Sequence, residues 1–308
     1  MNAVAVHNLV KRYKTGKETF EAVRDVSFDV ERGTIFGIIG PDGAGKTSLF
    51  RMLTTLLFPD GGNATVDGSD IVKDYKAIRN KVGYMPSKFS LYQDLTVEEN
   101  LNFFATIFDT SVQENFNLVG DIYVQIEPFK ARRAGKLSGG MKQKLALCCA
   151  LIHKPVVLFL DEPTTGVDAV SRKEFWDMLQ NLKKQGITIV VSTPYMDEAS
   201  QCDQVALMQN GVIMTRGTPK EITESFSQTI LAVQSQNMYR LLQDLSNSTE
   251  VDDVYSYGEY HHAVMKTNYD VESILHYLES KGNTNIEMHP VTPSIEDCFM
   301  QLMRSKHE

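Results

Sequence analysis

The sequence predicts an α/β fold: a mixed central sheet with an antiparallel β subdomain, a helical subdomain at about 86–153 and a small α+β domain at the end of the chain. Three observations predict it. An apolar run at 34–39 (TIFGII) leads through a glycine-rich loop at 40–48 (GPDGAGKTS) into a helix-forming segment at 48–56. A wholly apolar run at 156–160 (VVLFL) ends in Asp161-Glu162-Pro163, which fits a central parallel strand covered on both faces. From about residue 226 the texture changes to short strands and helices in the order βαββαβ.

Taken in order, residues 3–8 (VAVHNL) and 20–30 (FEAVRDVSFDV) alternate apolar with polar and read as half-exposed antiparallel strands. Lys11, Arg12 and Tyr13 lie between them, and Tyr13 could offer a flat face to a base ring. The run 34–39 is β-branched and aromatic, as a buried strand requires, and 48–56 has few helix breakers. Strand, loop and helix is the context a phosphate-binding loop needs. Next, 58–68 (FPDGGNATVDG) is turn chemistry around a short strand, and 81–85 (KVGYM) is another short strand. Residues 97–108 and about 113–127 show helical apolar spacing, and a third helix opens at Ser138-Gly139-Gly140 and continues through 145–152. After VVLFL come a helix at about 170–184, a β-branched strand at 187–192 (ITIVVS), a short helix from Met196 and a hairpin at 204–216 around Asn210-Gly211. These make a predicted main domain, 1–225. The tail, 226–308, reads as strand (229–233), helix (238–245), strands (253–257 and 263–267), helix (271–280) and strand (285–289), the pattern of a ferredoxin-like sandwich, with a closing helix at 294–303.

At 308 residues the chain can form a main domain and a smaller one, each with its own core. The net charge of −8 argues against a nucleic-acid partner held on a broad basic face. No stretch approaches the roughly eighteen apolar residues of a membrane span, and the N-terminal segment lacks the apolar core of a signal peptide, so the expected location is the cytosol. Cys148, Cys149, Cys202 and Cys298 show no metal-ligand spacing and are expected to be buried, reduced thiols.

The chemistry concentrates in the loop and the acidic strand end. Gly40, Gly43 and Gly45 let the backbone, with Pro41, Asp42 and Ala44, turn its N–H groups inward toward a polyphosphate. Lys46 adds a point charge for the outer phosphates, Thr47 a hydroxyl for Mg²⁺, and the helix entered through Ser48 presents its positive end to the same anion. Asp161 would hold the Mg²⁺ that Thr47 also touches, and Glu162 would orient or deprotonate the attacking water.

The segments Leu137-Ser138-Gly139-Gly140-Met141, Lys142-Gln143-Lys144 and VVLFLDEPTTGVD (156–168) follow the loop in a set order. About ninety residues separate the loop from the Ser-Gly-Gly and about twenty more lead to the acidic strand. In motif and spacing the chain, from 1 to about 225, resembles the nucleotide-binding subunit of ATP-binding cassette (ABC) transporters. The end of the tail, PSIEDCFMQLM (293–303), looks like the C-terminal extension of cassettes serving drug, antibiotic and polysaccharide exporters. The resemblance implies a P-loop NTPase cassette that binds and hydrolyses ATP with Mg²⁺. It also implies a separate membrane-spanning permease subunit and a place on the inner face of the cell membrane.

A serine and two glycines at a helix N-terminus offer a hydroxyl and free N–H groups to an anion. The resemblance implies that Ser138, Gly139 and Gly140 serve the nucleotide of a facing ATPase subunit, of the same or a different chain. Two cassettes would then clamp two ATP molecules head to tail. It further implies that Tyr13 stacks on adenine and that Gly166-Val167-Asp168 crosses between the two sites. A non-transport cassette ATPase and an ATP-gated regulator are the alternative readings.

Two positions depart from the family pattern. Ser87 follows Gly83-Tyr84-Met85-Pro86 where the family usually has a glutamine, and Pro194 follows 187–193 (ITIVVST) where it usually has a histidine. Either water or Gln93 covers the gap, or this chain's own site is slow and serves a better-equipped partner. Phe89, Leu91 and Tyr92 stand in a polar loop, where they either meet a membrane partner's helix or pack under the helix at 97–108.

Overall fold

Strand alternation at the start of the chain produces two long, paired strands, β1 (Asn2–Thr15) and β2 (Glu18–Glu31), in a computed structural model that describes residues 2–16 and 18–304. Their antiparallel pairing continues to Tyr13↔Phe20, so Lys11, Arg12 and Tyr13 belong to β1 instead of a connector. The period-two pattern breaks at Asn8, which sits at φ 49° beside a register shift. A bulge inserts one residue and moves the following side chains to the other face, which hid the second half of the strand from the alternation rule.

The chain then runs through β3 (Ile35–Ile39), α1 (Lys46–Leu53), β4 (Gly61–Val66), β5 (Ser69–Asp70), α2 (Tyr75–Arg79) and β6 (Val82–Met85). A helical stretch follows, with α3 (Val97–Ile107), α4 (Phe116–Ile126) and α5 (Gly139–Leu151). Next come β7 (Val157–Asp161), α6 (Ala169–Lys184), β8 (Thr188–Thr193), β9 (Gln204–Gln209) and β10 (Val212–Gly217). The helix expected from Met196 is a 3₁₀ helix, Met196–Gln201, and α2 was not anticipated.

Two sheets result, in the orders β2-β1-β4-β5 and β10-β9-β3-β8-β7-β6. The first is antiparallel; in the second only the β9/β10 pair is antiparallel. Every residue of β3, β7 and β8 is buried, as their largely apolar sequences require of parallel strands covered on both faces; the polar residues, Thr188, Ser192 and Thr193 of β8 and Asp161 of β7, lie at or near strand ends. Between the sheets Phe28 stacks on Phe36 with ring centroids 5.2 Å apart. Phe50 of α1 meets Phe159 of β7 edge-on at 5.8 Å, which ties the helix after the glycine loop to the strand bearing the acids. α3 opens with a reciprocal capping box between Thr96 and Glu99. Buried Asn100 donates to the Tyr92 and Thr96 carbonyls and accepts the Tyr92 N–H, fixing the loop ahead of the helix.

After Pro219 the chain forms a second compact unit. Entered through α7 (Pro219–Glu224), whose first residue closes the first unit, it contains β11 (Ile230–Gln234), α8 (Met238–Ser246), β12 (Val251–Tyr257), β13 (Tyr260–Met265), α9 (Val271–Ser280), β14 (Glu287–Val291) and α10 (Ile295–Arg304). Its sheet order is β12-β13-β11-β14, with each neighbouring pair antiparallel. Adjacent residues of β13 reach opposite faces: His261 bonds the Met238 carbonyl of α8 at 2.8 Å, and His262 bonds Asp297 of α10 at 2.7 Å.

Asp297 is fully buried and also accepts from the Tyr255 hydroxyl (2.7 Å) and from the Ser294 N–H and hydroxyl (2.6 Å each). Burial raises its pKa, but the bonds from Ser294, His262 and Tyr255 outweigh that and hold it below the usual carboxylate range. We expect Asp297→Ala to destabilise this unit by about 2–4 kcal/mol, since it orphans several buried donors at once. A folded-state pKa below the unfolded one means that the carboxylate stabilises the unit at neutral pH, and that this is lost as pH falls below about 4. Urea unfolding of parent and variant as a function of pH checks both; the two should converge in acid.

No helix among the described residues is long and apolar enough to cross a membrane.

Candidate functional site

Parallel strands that share a register end at the same edge of a sheet, and here that edge carries the chemistry. Ile39 pairs with Thr193 and Asp161 with Ser192, so the segments after β3, β7 and β8 emerge together. The Gly40 N–H donates to the Thr193 carbonyl at 3.2 Å. A Cβ on Gly40 would lie 2.0 Å from the Met208 carbonyl oxygen. Gly45, at φ 108°, would place one 2.2 Å from that of Ala22, so neither position accepts a side chain. Gly43 takes a left-handed turn at φ 80°, and with Pro41, Asp42 and Ala44 it completes the loop ahead of α1.

Lys46 is 3% exposed. Its ammonium donates to the Gly40 (2.7 Å) and Pro41 (3.0 Å) carbonyls and pairs with Glu162 Oε1 at 3.1 Å, so all three protons have partners. The carbonyl contacts turn the charge back over the mouth of the loop. Ser48 is hydrogen-bonded to the Tyr13 hydroxyl at 3.1 Å, which brings the ring of β1 beside the loop.

Asp161 is fully buried at the end of β7. Burial pushes its carboxyl above the usual range, and the Ser192 and Thr47 hydroxyls pull it part of the way back. Ser192 donates to Oδ1 at 2.7 Å, while Oδ2 is buried without a hydrogen-bond partner. A buried, unpartnered carboxylate oxygen next to a threonine hydroxyl is the donor set that Mg²⁺ accepts when substrate phosphates and water complete its shell. No group of three His, Cys, Asp or Glu that could hold a metal occurs among the described residues, and Mg²⁺ held in this manner needs none.

Glu162 sits at φ 53°, left-handed and unusual for a residue with a long side chain. Its N–H donates to both the carbonyl (3.0 Å) and the hydroxyl (3.1 Å) of Ser192. The sequence singled out both acids and missed Ser192. Its signal lay in the neighbouring strand, where a small hydroxyl residue interrupts an apolar run.

Ser138, Gly139 and Gly140 are not brought to the 40–48 loop: among the described residues no hydrogen bond or ion pair links them. They open α5 at the surface, where Ser138 Oγ accepts the Met141 N–H at 3.3 Å. Beside them is the 166–168 turn. A Cβ on Gly139 would lie 3.6 Å from the Gly166 carbonyl oxygen, and one on Gly140 would lie 2.8 Å from Ser171 Oγ. Asp168 caps α6 by accepting the N–H (3.0 Å) and hydroxyl (2.8 Å) of Ser171, bonds that hold its pKa low.

Ser87 is exposed, and Pro194 follows β8 half-buried. Gln93 lies elsewhere: its carbonyl accepts the Gly135 N–H at 2.9 Å and its amide lies against Gly135. The aromatic loop divides. Leu91 is buried, Tyr92 packs edge-on against Phe103 at 4.8 Å, and Phe89 helps line an apolar cavity of about 400 Å³ with Leu56, Tyr84 and Phe104. The four cysteines are free and buried, and burial pushes their thiols up.

A glycine loop with a buried lysine, facing paired acids at the carboxyl ends of parallel strands, defines a P-loop NTPase. The comparisons narrow this. The family described as "ABC transporter" matches residues 23–165. The chain is 32% identical over 287 residues to the Nod factor export ATP-binding protein I of Rhizobium sp. (strain N33), covering 91% of each chain. It therefore belongs to the ABC transporter family. It is 40% identical over 286 residues to the Probable multidrug ABC transporter ATP-binding protein YbhF of Escherichia coli, covering 92% of this chain but only about half (49%) of that protein's length. Its fold is that of ABC ATPase cassettes: cbiO1 from Clostridium perfringens, part of the ABC transporter complex cbiONQ, is similar with TM-score 0.64 and 28% identity, over 73% of this chain and 91% of that one.

Proposed function

We propose that the chain is the ATP-binding and ATP-hydrolysing subunit of an ABC exporter, driving a separate membrane-spanning permease from its cytoplasmic face. The observation that carries this reading is the meeting of Lys46, Thr47, Asp161 and Glu162 at one sheet edge. The loop at 40–48 holds the triphosphate, Lys46 exchanging its carbonyl partners and Glu162 for phosphate oxygens. Mg²⁺, held by Thr47 and Asp161, supplies positive charge to the phosphates when bound. Glu162, released from Lys46, orients the attacking water and takes its proton. Tyr13, whose hydroxyl bonds Ser48 at the edge of the loop, covers the adenine in this reading. Ser138 and Gly139, exposed beside the 166–168 turn, and half-buried Gly140 fit a facing cassette's nucleotide, so that ATP closes a two-cassette sandwich. The name of one relative, the Nod factor export ATP-binding protein I, supports export as the direction.

The apolar cavity bordered by Phe89 suits a helix of the permease. Phe89→Asp is expected to abolish co-purification of a polytopic membrane protein while leaving ATP binding intact. Retained co-purification contradicts the permease reading of this surface.

We infer further that this chain's own site is slow. Serine is too short to reach where a glutamine amide would, proline has no side-chain donor, and the Gln93 backbone is tied to the Gly135 N–H, away from the acids. Installing Ser87→Gln and Pro194→His together is expected to raise steady-state phosphate release about tenfold, less than the roughly 10²–10⁴-fold of a positioned general base because Glu162 already fills that role. An unchanged rate contradicts the inference.

A further inference from the structure

We propose that Ser192 is a positioning residue that sets both acids of the site through one hydroxyl; this rests on reading Asp161 as metal ligand and Glu162 as catalytic carboxylate. Ser192 is fully buried in β8 and is the register partner of Asp161. A serine hydroxyl has one proton, and here it goes to Asp161 Oδ1 at 2.7 Å. The same oxygen accepts the Glu162 N–H at 3.1 Å, reinforcing the bond from that N–H to the Ser192 carbonyl at 3.0 Å.

Each contact has a separate consequence. The bond to Asp161 occupies Oδ1 and fixes the carboxylate's rotation, leaving Oδ2 as the oxygen without a hydrogen-bond partner on a carboxylate that the Thr47 hydroxyl also faces. The bonds to the Glu162 N–H anchor the backbone where it turns left-handed, φ 53°, and that turn directs the Glu162 carboxylate to Lys46, 3.1 Å away. Any residue at 192 would keep the carbonyl contact. Only a hydroxyl side chain of this size donates to one acid while accepting from the backbone of the next. Partners of this kind behind a metal-binding carboxylate set its orientation, and their loss typically weakens metal binding or activity about 10–100-fold.

The test compares the full chain with Ser192→Ala and Ser192→Thr. Three quantities are measured: affinity for a fluorescent ATP analogue in EDTA, Mn²⁺ affinity in saturating ATP by electron paramagnetic resonance, and kcat and KM for phosphate release, with thermal melts alongside. Ser192→Ala is expected to weaken Mn²⁺ binding about tenfold, to raise KM for metal·ATP by a similar factor through linkage and to lower kcat about tenfold, with metal-free ATP affinity within about twofold of parent. Ser192→Thr, which keeps the hydroxyl, is expected to recover both Mn²⁺ binding and kcat. The proposal is overturned if Ser192→Ala binds Mn²⁺ like the parent. It is also overturned if both variants lose metal-free ATP affinity and melting temperature together, because the residue would then be structural only. If the parent chain itself binds neither ATP nor Mn²⁺ with ATP, the reading of the whole site falls, a result distinct from a failure confined to the variants.

Discussion

Lys46→Ala is expected to weaken ATP binding by about 100-fold or more and to reduce turnover to background. Hydrogen bonds to charged groups contribute about 1.5–3 kcal/mol each, and a lysine gripping two phosphate oxygens supplies two, about 3–6 kcal/mol in all. Lys46 is 3% exposed and its ammonium already has three partners, so neither water nor a neighbouring cation takes its place. The change should leave the fold intact, because alanine is a good helix former and Leu49, Phe50 and Leu53 keep α1 on the core. Equilibrium titration with a fluorescent ATP analogue, paired with a thermal melt, checks both halves. Unaltered affinity would mean that the phosphates are held elsewhere.

Glu162→Gln separates binding from chemistry. Glutamine keeps the length and the backbone N–H that bonds Ser192, so the site's geometry is retained. It lacks the charge that pairs with Lys46 at 3.1 Å and the basicity to accept a proton. Turnover should fall by about 10²–10⁴-fold, the usual contribution of a positioned general base. ATP affinity should be equal to the parent's or greater, since the lysine no longer has to leave a carboxylate to reach phosphate. Phosphate release and nucleotide retention on the same sample check this; equal losses in both would assign Glu162 to binding.

Much of this site was legible because its signals are local. The loop at 40–48 and Asp161-Glu162 each announce themselves within ten residues, and the strands beside them are apolar throughout, so strand, loop and helix could be read without knowing the topology. What escaped depends on neighbours distant in sequence. Ser192 matters because β7 and β8 pair in a register that sets it beside Asp161, and nothing within ITIVVS states that register. The bulge at Asn8 disguised the second half of β1, and with it the strand position of Tyr13. For the loop at 88–100 the sequence left docking on a membrane partner and packing under the helix at 97–108 both open. Asn100 folds the loop back so that Leu91 is buried and Tyr92 meets Phe103 of that helix, a choice made by contacts the local sequence does not state. The order of elements in the tail was readable from its alternation, whereas the buried Asp297 network was not, because His262, Tyr255 and Ser294 converge on it from three separate segments.

The central claim, that the loop around Lys46 holds a Mg·ATP which a second cassette's Ser138-Gly139-Gly140 completes, is tested most directly by measuring nucleotide stoichiometry and molar mass together. The sample is the Glu162→Gln chain, with and without its natural counterpart, in Mg·ATP. The account predicts one ATP per chain and a mass that rises to that of a two-cassette complex, with both effects lost in the Lys46→Ala chain. ATP uptake by the Lys46→Ala chain at the concentration that saturates the Glu162→Gln chain, or an unchanged mass at full ATP occupancy with the counterpart present, would contradict it.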